Sequence, residues 1–167
     1  MRIRAVAWPT PERSGTGEAA GFAAAAAAQA AWALAAVAWQ LTAEYYWHVM
    51  NHTPFFYRRF HKYHHYYKSP SPFDDLFIHP VEGFLYYCIL FAPAAALPLR
   101  RAAFGAYMTL MGMCGLADHS GVRIALGPYD SAEHDLHHSH VNVNFGFPFA
   151  WFDRLHGTYL PPADVYE

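Results

Sequence analysis

The run GFAAAAAAQAAWALAAVAWQL, residues 21–41, holds no charged side chain, and only Gln29 and Gln40 interrupt it with polar groups. At 1.5 Å rise per residue a helix of this length reaches about 30 Å, the thickness of a bilayer's hydrocarbon core. We read it as a membrane-spanning helix. Most of the run is alanine, which is only weakly hydrophobic, so a buried helix of a soluble protein or a signal-like segment would share its composition. The aromatic residues around its end, Trp39, Tyr45, Tyr46 and Trp47, favour the membrane, because such rings gather at the lipid–water boundary.

Working outward, two further apolar runs, 83–99 and 102–117, flank Arg100 and Arg101 and read as a helical hairpin. Each is a little short of the roughly 20 residues of a simple crossing, and Pro93 and Pro98 are expected to kink or end the first arm. The composition agrees with lipid as the solvent: 54% of the residues are apolar and only 14% are charged, against about 25% charged in an ordinary soluble domain. A net charge of −2 with scattered Lys and Arg leaves no basic footprint for nucleic acid. Cys88 and Cys114 lie inside apolar runs and read as buried thiols rather than a disulfide. Residues 1–20, with three arginines and two prolines, read as a flexible lead-in, and 21–167 as one membrane-bound domain.

The expected fold class is therefore all-α, with integral membrane helices and a histidine-rich helical cap on one membrane face. If the first helix leaves the bilayer near Glu44, and the hairpin enters near Glu82 and returns near Asp118, then 44–82 and 118–167 share one face. All twelve histidines fall in those two segments. Lys and Arg divide too evenly between the faces to orient the chain.

The histidines are patterned. HVMNH puts His48 and His52 one helical turn apart, with Glu44 a turn earlier. HKYHH (61–65) and HDLHH (134–138) repeat an i, i+3, i+4 spacing, which on a helix brings His61, His64 and His65 to one face, and His134, His137 and His138 to another. His79 and His119 flank the hairpin at its two mouths, making ten candidate metal ligands. One metal needs about four ligands at a structural zinc site and three plus water at a catalytic one, so ten imidazoles imply two metals. All-nitrogen sites suit iron, copper, nickel or zinc, and the absence of a cysteine box argues against zinc ribbons and iron–sulfur clusters. Iron is the choice that explains the membrane, because a ferrous pair with open positions can use O2 to attack unactivated C–H bonds such as lipids present. Glu44, Glu82, Asp118 and Asp135 are candidates to orient ring N–H groups. His140 and His156 read as ordinary surface histidines. Phe55, Phe56, Tyr57, Tyr63, Tyr66 and Tyr67 read as an interfacial belt, and Arg58, Arg59, Asp74 and Asp75 as a solvated face.

These residues are recognisable as a set. HVMNHTPFFYRRFHKYHH, HPVEGF, DHSG, HDLHH and the closing WFDRLHGTY resemble, in order and spacing over residues 40–160, the fatty acid hydroxylase and sterol desaturase superfamily, most closely its sterol branch. The resemblance implies an integral membrane, non-haem di-iron enzyme that uses O2 as co-substrate and two electrons to hydroxylate or desaturate a lipid, sterol-like or fatty-acyl. It implies His48 and His52 in the first box, His61, His64 and His65 in the second, His134, His137 and His138 in the third, with His79 and His119 as further ligands and Asn144 of NFG assisting the metal site. It also implies a separate electron donor of the cytochrome b5 or ferredoxin type, and residence in the endoplasmic reticulum membrane of a eukaryote or the cytoplasmic membrane of a bacterium. Two departures stand out: Val49 replaces the arginine that often follows the first histidine, and one apolar helix precedes the first box where relatives commonly have a pair, which reads as a truncated or misassigned start. A carotenoid hydroxylase would share the metal chemistry. A non-catalytic metal-binding or transport protein would want polar groups within the spans, and the three apolar runs offer two glutamines and a threonine.

Overall fold

A computed structural model describes residues 15–162. The expected lead-in therefore lies outside the described residues up to position 14, while its last six residues already belong to the first helix. Helix α1 (Gly15–Asn51) is followed by the short α2 (Pro54–Arg59), a 3-10 segment His61–Tyr66, a second 3-10 segment Pro72–Leu76, and then α3 (Pro80–Ala96) and α4 (Arg101–Asp118). Strands β1 (Ala125–Leu126) and β2 (Tyr129–Asp130) form a minimal antiparallel pair before α5 (Ala132–His140) and α6 (Trp151–His156). Among the described residues the fold is all-α apart from that four-residue ribbon.

Alanine has the highest helix propensity, which carries α1 through the apolar run and beyond. The helix stops at Asn51 because Thr53 precedes Pro54, and the proline ring disfavours helical torsions in the residue before it; Thr53 is extended at φ −67°, ψ 148°. Helix α3 starts with Pro80 at its first turn, where the missing N–H costs nothing. It ends at Ala96, one turn beyond Pro93, with Pro98 just past the cap, in keeping with the two prolines' expected effect.

Helices α1, α3 and α4 pack together around Ala36, Leu90, Tyr107 and Met111, with Phe147 closing the cluster from the C-terminal segment. The two glutamines that interrupt the apolar run both have work there. Gln29 Nε2 donates to Pro98 O (3.1 Å), and Gln29 Oε1 accepts from Arg100 N (2.7 Å), clasping the turn of the hairpin. Gln40 Oε1 accepts from Tyr107 Oη (3.0 Å), and Trp39 Nε1 donates to Ile89 O (3.0 Å). Paired polar groups of this kind are tolerable away from water, where an unpaired one would cost several kcal/mol.

Outside these contacts the bundle faces are apolar and exposed: Phe22 and Leu34 on α1, Phe84 and Phe91 on α3, Leu110 and Met113 on α4. Helix α1 is long and apolar enough to cross a membrane, and almost none of its apolar window is buried. The end of α1, the start of α3 and the end of α4 lie at the same end of the bundle, and the histidine-bearing segments gather there. Within this cap Leu136 of α5 is 1% exposed; truncating such a side chain typically costs about 2–5 kcal/mol.

Candidate metal centre

Nine of the ten candidate ligands meet in two adjoining groups. His48, His52, His61, His65 and His137 form one, His64, His119, His134 and His138 the other, and within each group one ring nitrogen per residue lies within 4.8 Å of all the rest. The groups touch: the His65 and His138 ring centroids are 4.8 Å apart, and those of His64 and His65 are 5.6 Å apart. His79 stands outside both. Its Nδ1 accepts from Val81 N (3.2 Å) as the N-cap of α3, and its ring lies against Phe60 and Tyr63.

His48 and His52 stay together as expected, but the two triplet boxes do not converge as single faces. HKYHH adopts a 3-10 conformation with His65 bent out of it (φ −82°, ψ 15°), not an α-helical turn. His61 and His65 join the first group and His64 the second. On α5, His137 joins the first group while His134 and His138 join the second. The helix explains this split: at about 100° per residue, the i+3 and i+4 side chains diverge to opposite sides of residue i, so one box can serve two adjacent centres.

Hydrogen bonds at Nδ1 set the chemical state of the rings. His48 Nδ1 lies 2.8 Å from Phe145 O, His137 Nδ1 2.7 Å from Val143 O, His119 Nδ1 2.9 Å from Gly115 O, and His138 Nδ1 3.2 Å from Tyr67 O. A carbonyl oxygen only accepts, so each of these nitrogens carries the proton, and in a neutral ring Nε2 then keeps its lone pair. His61 Nδ1 donates in the same way to Glu82 Oε1.

The lone pairs then face one another. His65 Nε2 has three other Nε2 atoms around it, from His137 (3.0 Å), His61 (3.1 Å) and His52 (3.2 Å), more than one nitrogen can satisfy by hydrogen bonding. His134 Nε2 lies 3.1 Å from His138 Nε2 and 3.2 Å from His119 Nε2. Buried atoms with no partner among the described residues include His48 Nε2, the Nδ1 atoms of His52, His64 and His65, and Glu82 Oε2. Leaving a polar group so costs about 1–3 kcal/mol each. Spacings near 3 Å are those of nitrogens around a first-row metal bound at about 2.0–2.1 Å, so the donor set fits two metal ions.

Electrostatics agree with neutral ligands. Burial first, and the neighbouring rings second, hold His64, His134 and His137 well below the usual imidazole range. The same causes push His138 down to about 3. A cluster that resists protonation stays available to a cation.

The surrounding residues depart from expectation in several places. Of the four carboxylates expected to orient rings, Glu82 does so. Glu44 instead accepts from Gln40, and Asp118 accepts from Tyr129 Oη (2.6 Å). Asp75 is only partly solvated: its side chain is 33% exposed, an added Cβ at Gly115 would sit 3.2 Å from Asp75 Oδ2, and it comes within 3.5 Å of His119 Nδ1. Asn144 bonds backbone and not rings: its Nδ2 donates to Glu133 O (3.0 Å) and Leu160 O (2.9 Å), and its Oδ1 accepts from Leu160 N (2.8 Å). His140 and His156 are exposed and outside both groups. Phe55, Tyr63, Tyr66 and Tyr67 are exposed around the cap.

Both groups open onto one cavity of about 340 Å³ between α1, α3 and α4. Its inner wall carries His48, His61, His64, His119 and His134, and the rest is largely apolar, with Leu90, Met108, Met111 and Phe147 among its residues. Such a volume is within the ordinary range for small-molecule sites, about 300–1,000 Å³.

An all-helical chain that sets two adjoining groups of buried imidazoles beneath an apolar chamber has the architecture of a membrane histidine-box protein with a metal site. The fatty acid hydroxylase family model matches residues 32–158, a stretch that contains both groups, and the chain belongs to that family, within the fatty acid hydroxylase and sterol desaturase superfamily. The chain is 33% identical to a Delta(7)-sterol 5(6)-desaturase of Gibberella zeae over 70% of its length and 34% of the relative's. It is 32% identical to the lathosterol oxidase of Mus musculus, over 71% of the chain and 42% of the relative. The Delta(7)-sterol 5(6)-desaturase of Saccharomyces cerevisiae is also 32% identical, over 70% of the chain and 33% of the relative. The chain thus matches only about a third to two-fifths of the length of these proteins. No solved structure matches it.

Proposed function

We propose that this chain is the metal-bearing core of a membrane oxidoreductase that uses two iron ions and O2 to hydroxylate or desaturate a lipid. One observation carries the reading: rings of both imidazole groups form part of the wall of a single apolar chamber. When bound, iron supplies the redox chemistry that couples O2 to oxidation of a C–H bond.

The chain's own residues bind, orient and exclude. Leu90, Met108, Met111 and Phe147 hold the hydrocarbon against the histidine wall and keep water from it. The carbonyls behind His48, His119, His137 and His138 hold their Nε2 atoms deprotonated and aimed, and Glu82 does the same for His61. We assign the nine clustered histidines as ligands and His79 to the cap of α3. Helix α1 crosses the bilayer, and the exposed apolar faces of α3 and α4 meet lipid. The enzyme resides in the endoplasmic reticulum membrane of a eukaryote or the cytoplasmic membrane of a bacterium. The relatives' names, sterol desaturase and lathosterol oxidase, favour a sterol-like substrate. Two electrons come from a separate donor of the cytochrome b5 or ferredoxin type.

The test is metal content together with product. Protein purified anaerobically in detergent and loaded with Fe(II) is expected to hold about two ions per chain, and to give O2-dependent product from a sterol or fatty-acyl feed. Product from carotenoid alone would move the substrate class. Two bound metals with no product from sterol, fatty-acyl or carotenoid feeds, given a reductant, would make this a metal-binding protein instead.

A further inference from the structure

The loop 144–146 and the segment 151–158 carry buried polar chemistry that the proposed function leaves unused. Asp153 is fully buried, at 0% exposure. Its Oδ1 accepts from Phe145 N (2.8 Å) and from Thr158 Oγ1 (2.7 Å), and its Oδ2 accepts from Gly146 N (2.7 Å). Position 146 must be glycine for this, since an added Cβ would stand 2.6 Å from Asp153 Oδ2. On the other side of the loop the Asn144 amide ties it to Glu133 O and to both backbone groups of Leu160, with Asn144 itself at φ 50°, a left-handed torsion that asparagine tolerates.

The two carbonyls that this bracket immobilises, Val143 O and Phe145 O, are the acceptors for His137 and His48. Both rings belong to the five-imidazole group. The four-imidazole group is held from elsewhere: His119 on Gly115 O at the end of α4, and His138 on Tyr67 O beyond the 3-10 segment.

We infer that Asp153, acting through the 144–146 loop, is a positioning residue for one metal only, the one held by His48, His52, His61, His65 and His137. The inference rests on the reading that each group binds a metal. Its physical basis is that the Nδ1–H···O=C bond fixes both tautomer and rotation of a ligand ring, and a slack acceptor frees Nε2 to turn away or take the proton.

A chelator titration of the full chain, loaded anaerobically with Fe(II) in detergent, separates positioning from a general role in folding. The unsubstituted protein should release about two ions per chain. In Asp153→Asn one ion should leave at about 10- to 100-fold lower chelator while the other is unmoved, the usual effect of losing a partner behind a ligand. Adding His52→Ala should remove that weakened ion and leave the other as it was, whereas adding His138→Ala should leave only the weakened ion. Arg154→Ala is the control. Its guanidinium stacks 3.7 Å over Tyr159 and lies 3.8 Å from Glu133, steadying the same tail without touching the loop, and both ions should stay. If Asp153→Asn does not yield folded protein, Thr158→Val takes its place, removing one of the three bonds to the carboxylate and keeping the backbone ones; it should weaken the same single ion. Equal weakening of both ions, no weakening, or the same selective loss in Arg154→Ala overturns the inference. Fewer than two ions in the unsubstituted protein overturns the underlying two-metal reading, and shows itself before any substitution is made.

Discussion

His65 Nε2 lies 3.0 Å from His137 Nε2, although 72 residues separate them in the chain. The neighbours of both, His64 and His138, turn to the other imidazole group, with ring centroids 4.7 Å apart. The second and third boxes therefore each supply rings to both imidazole groups, and adjacent residues join different ones.

That division gives a direct expectation for neighbouring substitutions. His65→Ala should strip the ion of the five-imidazole group and His64→Ala the ion of the four-imidazole group, each leaving about one per chain. Both variants should remain membrane-inserted, and both should lose turnover. Metal analysis alongside a carbonate wash of the membranes checks this, and full activity in either variant would count against a two-metal site.

The metal-free protein should weaken as the solution is acidified. His138 titrates at about 3 in the folded chain against an ordinary value of 6.5, chiefly because it is buried and secondly because His119 is beside it. Between those values the unfolded chain binds a proton that the folded chain refuses, so stability is full above about 6.5 and is lost progressively as pH falls towards 3. Chelator-treated protein should melt at lower temperature at pH 5 than at pH 7. Unchanged melting over that interval would mean that these rings are not buried and neutral.

Glu82 should matter through His61. Glu82→Ala leaves His61 Nδ1–H without its acceptor, and chelator competition should show one ion bound about 10- to 100-fold more weakly. Glu82→Gln retains an acceptor oxygen and should lose less. An alanine variant with unaltered affinity for both ions would remove Glu82 from any supporting role.

The chamber can be narrowed without disturbing the rings. A Cβ at Gly112 would meet nothing within 4 Å, and this glycine lines the cavity. Gly112→Leu should keep both metals and lower turnover of a sterol-sized substrate by about 10-fold or more, on the scale of one or two misplaced methylenes in an apolar site. Metal content and product yield are measured on the same preparation. Loss of metal, or unchanged turnover, would show that the lipid does not use this space.

Periodicity and composition were enough for the architecture. The charge-free run at 21–41 determined a long helix, the paired runs around Arg100 and Arg101 a hairpin, and Pro93 and Pro98 its first stop, because these are local preferences of backbone and solvent. The triplet spacing of HKYHH and HDLHH likewise announced a cluster of imidazoles, since few other demands repeat three of them within five residues. Only the tertiary structure decided how the rings are shared. His64 and His65 adjoin in the chain and join different groups, His79 turns to cap a helix, and Asp75 is drawn partly out of solvent against Gly115. Asp153 bonds the N–H groups of Phe145 and Gly146, in the same stretch whose Val143 and Phe145 carbonyls accept from His137 and His48, a relation no spacing along the chain announces. Spacing along the chain states which side a residue faces on its own element; which lone pair meets which depends on how elements distant in sequence are docked, and that is set by packing across the whole cap.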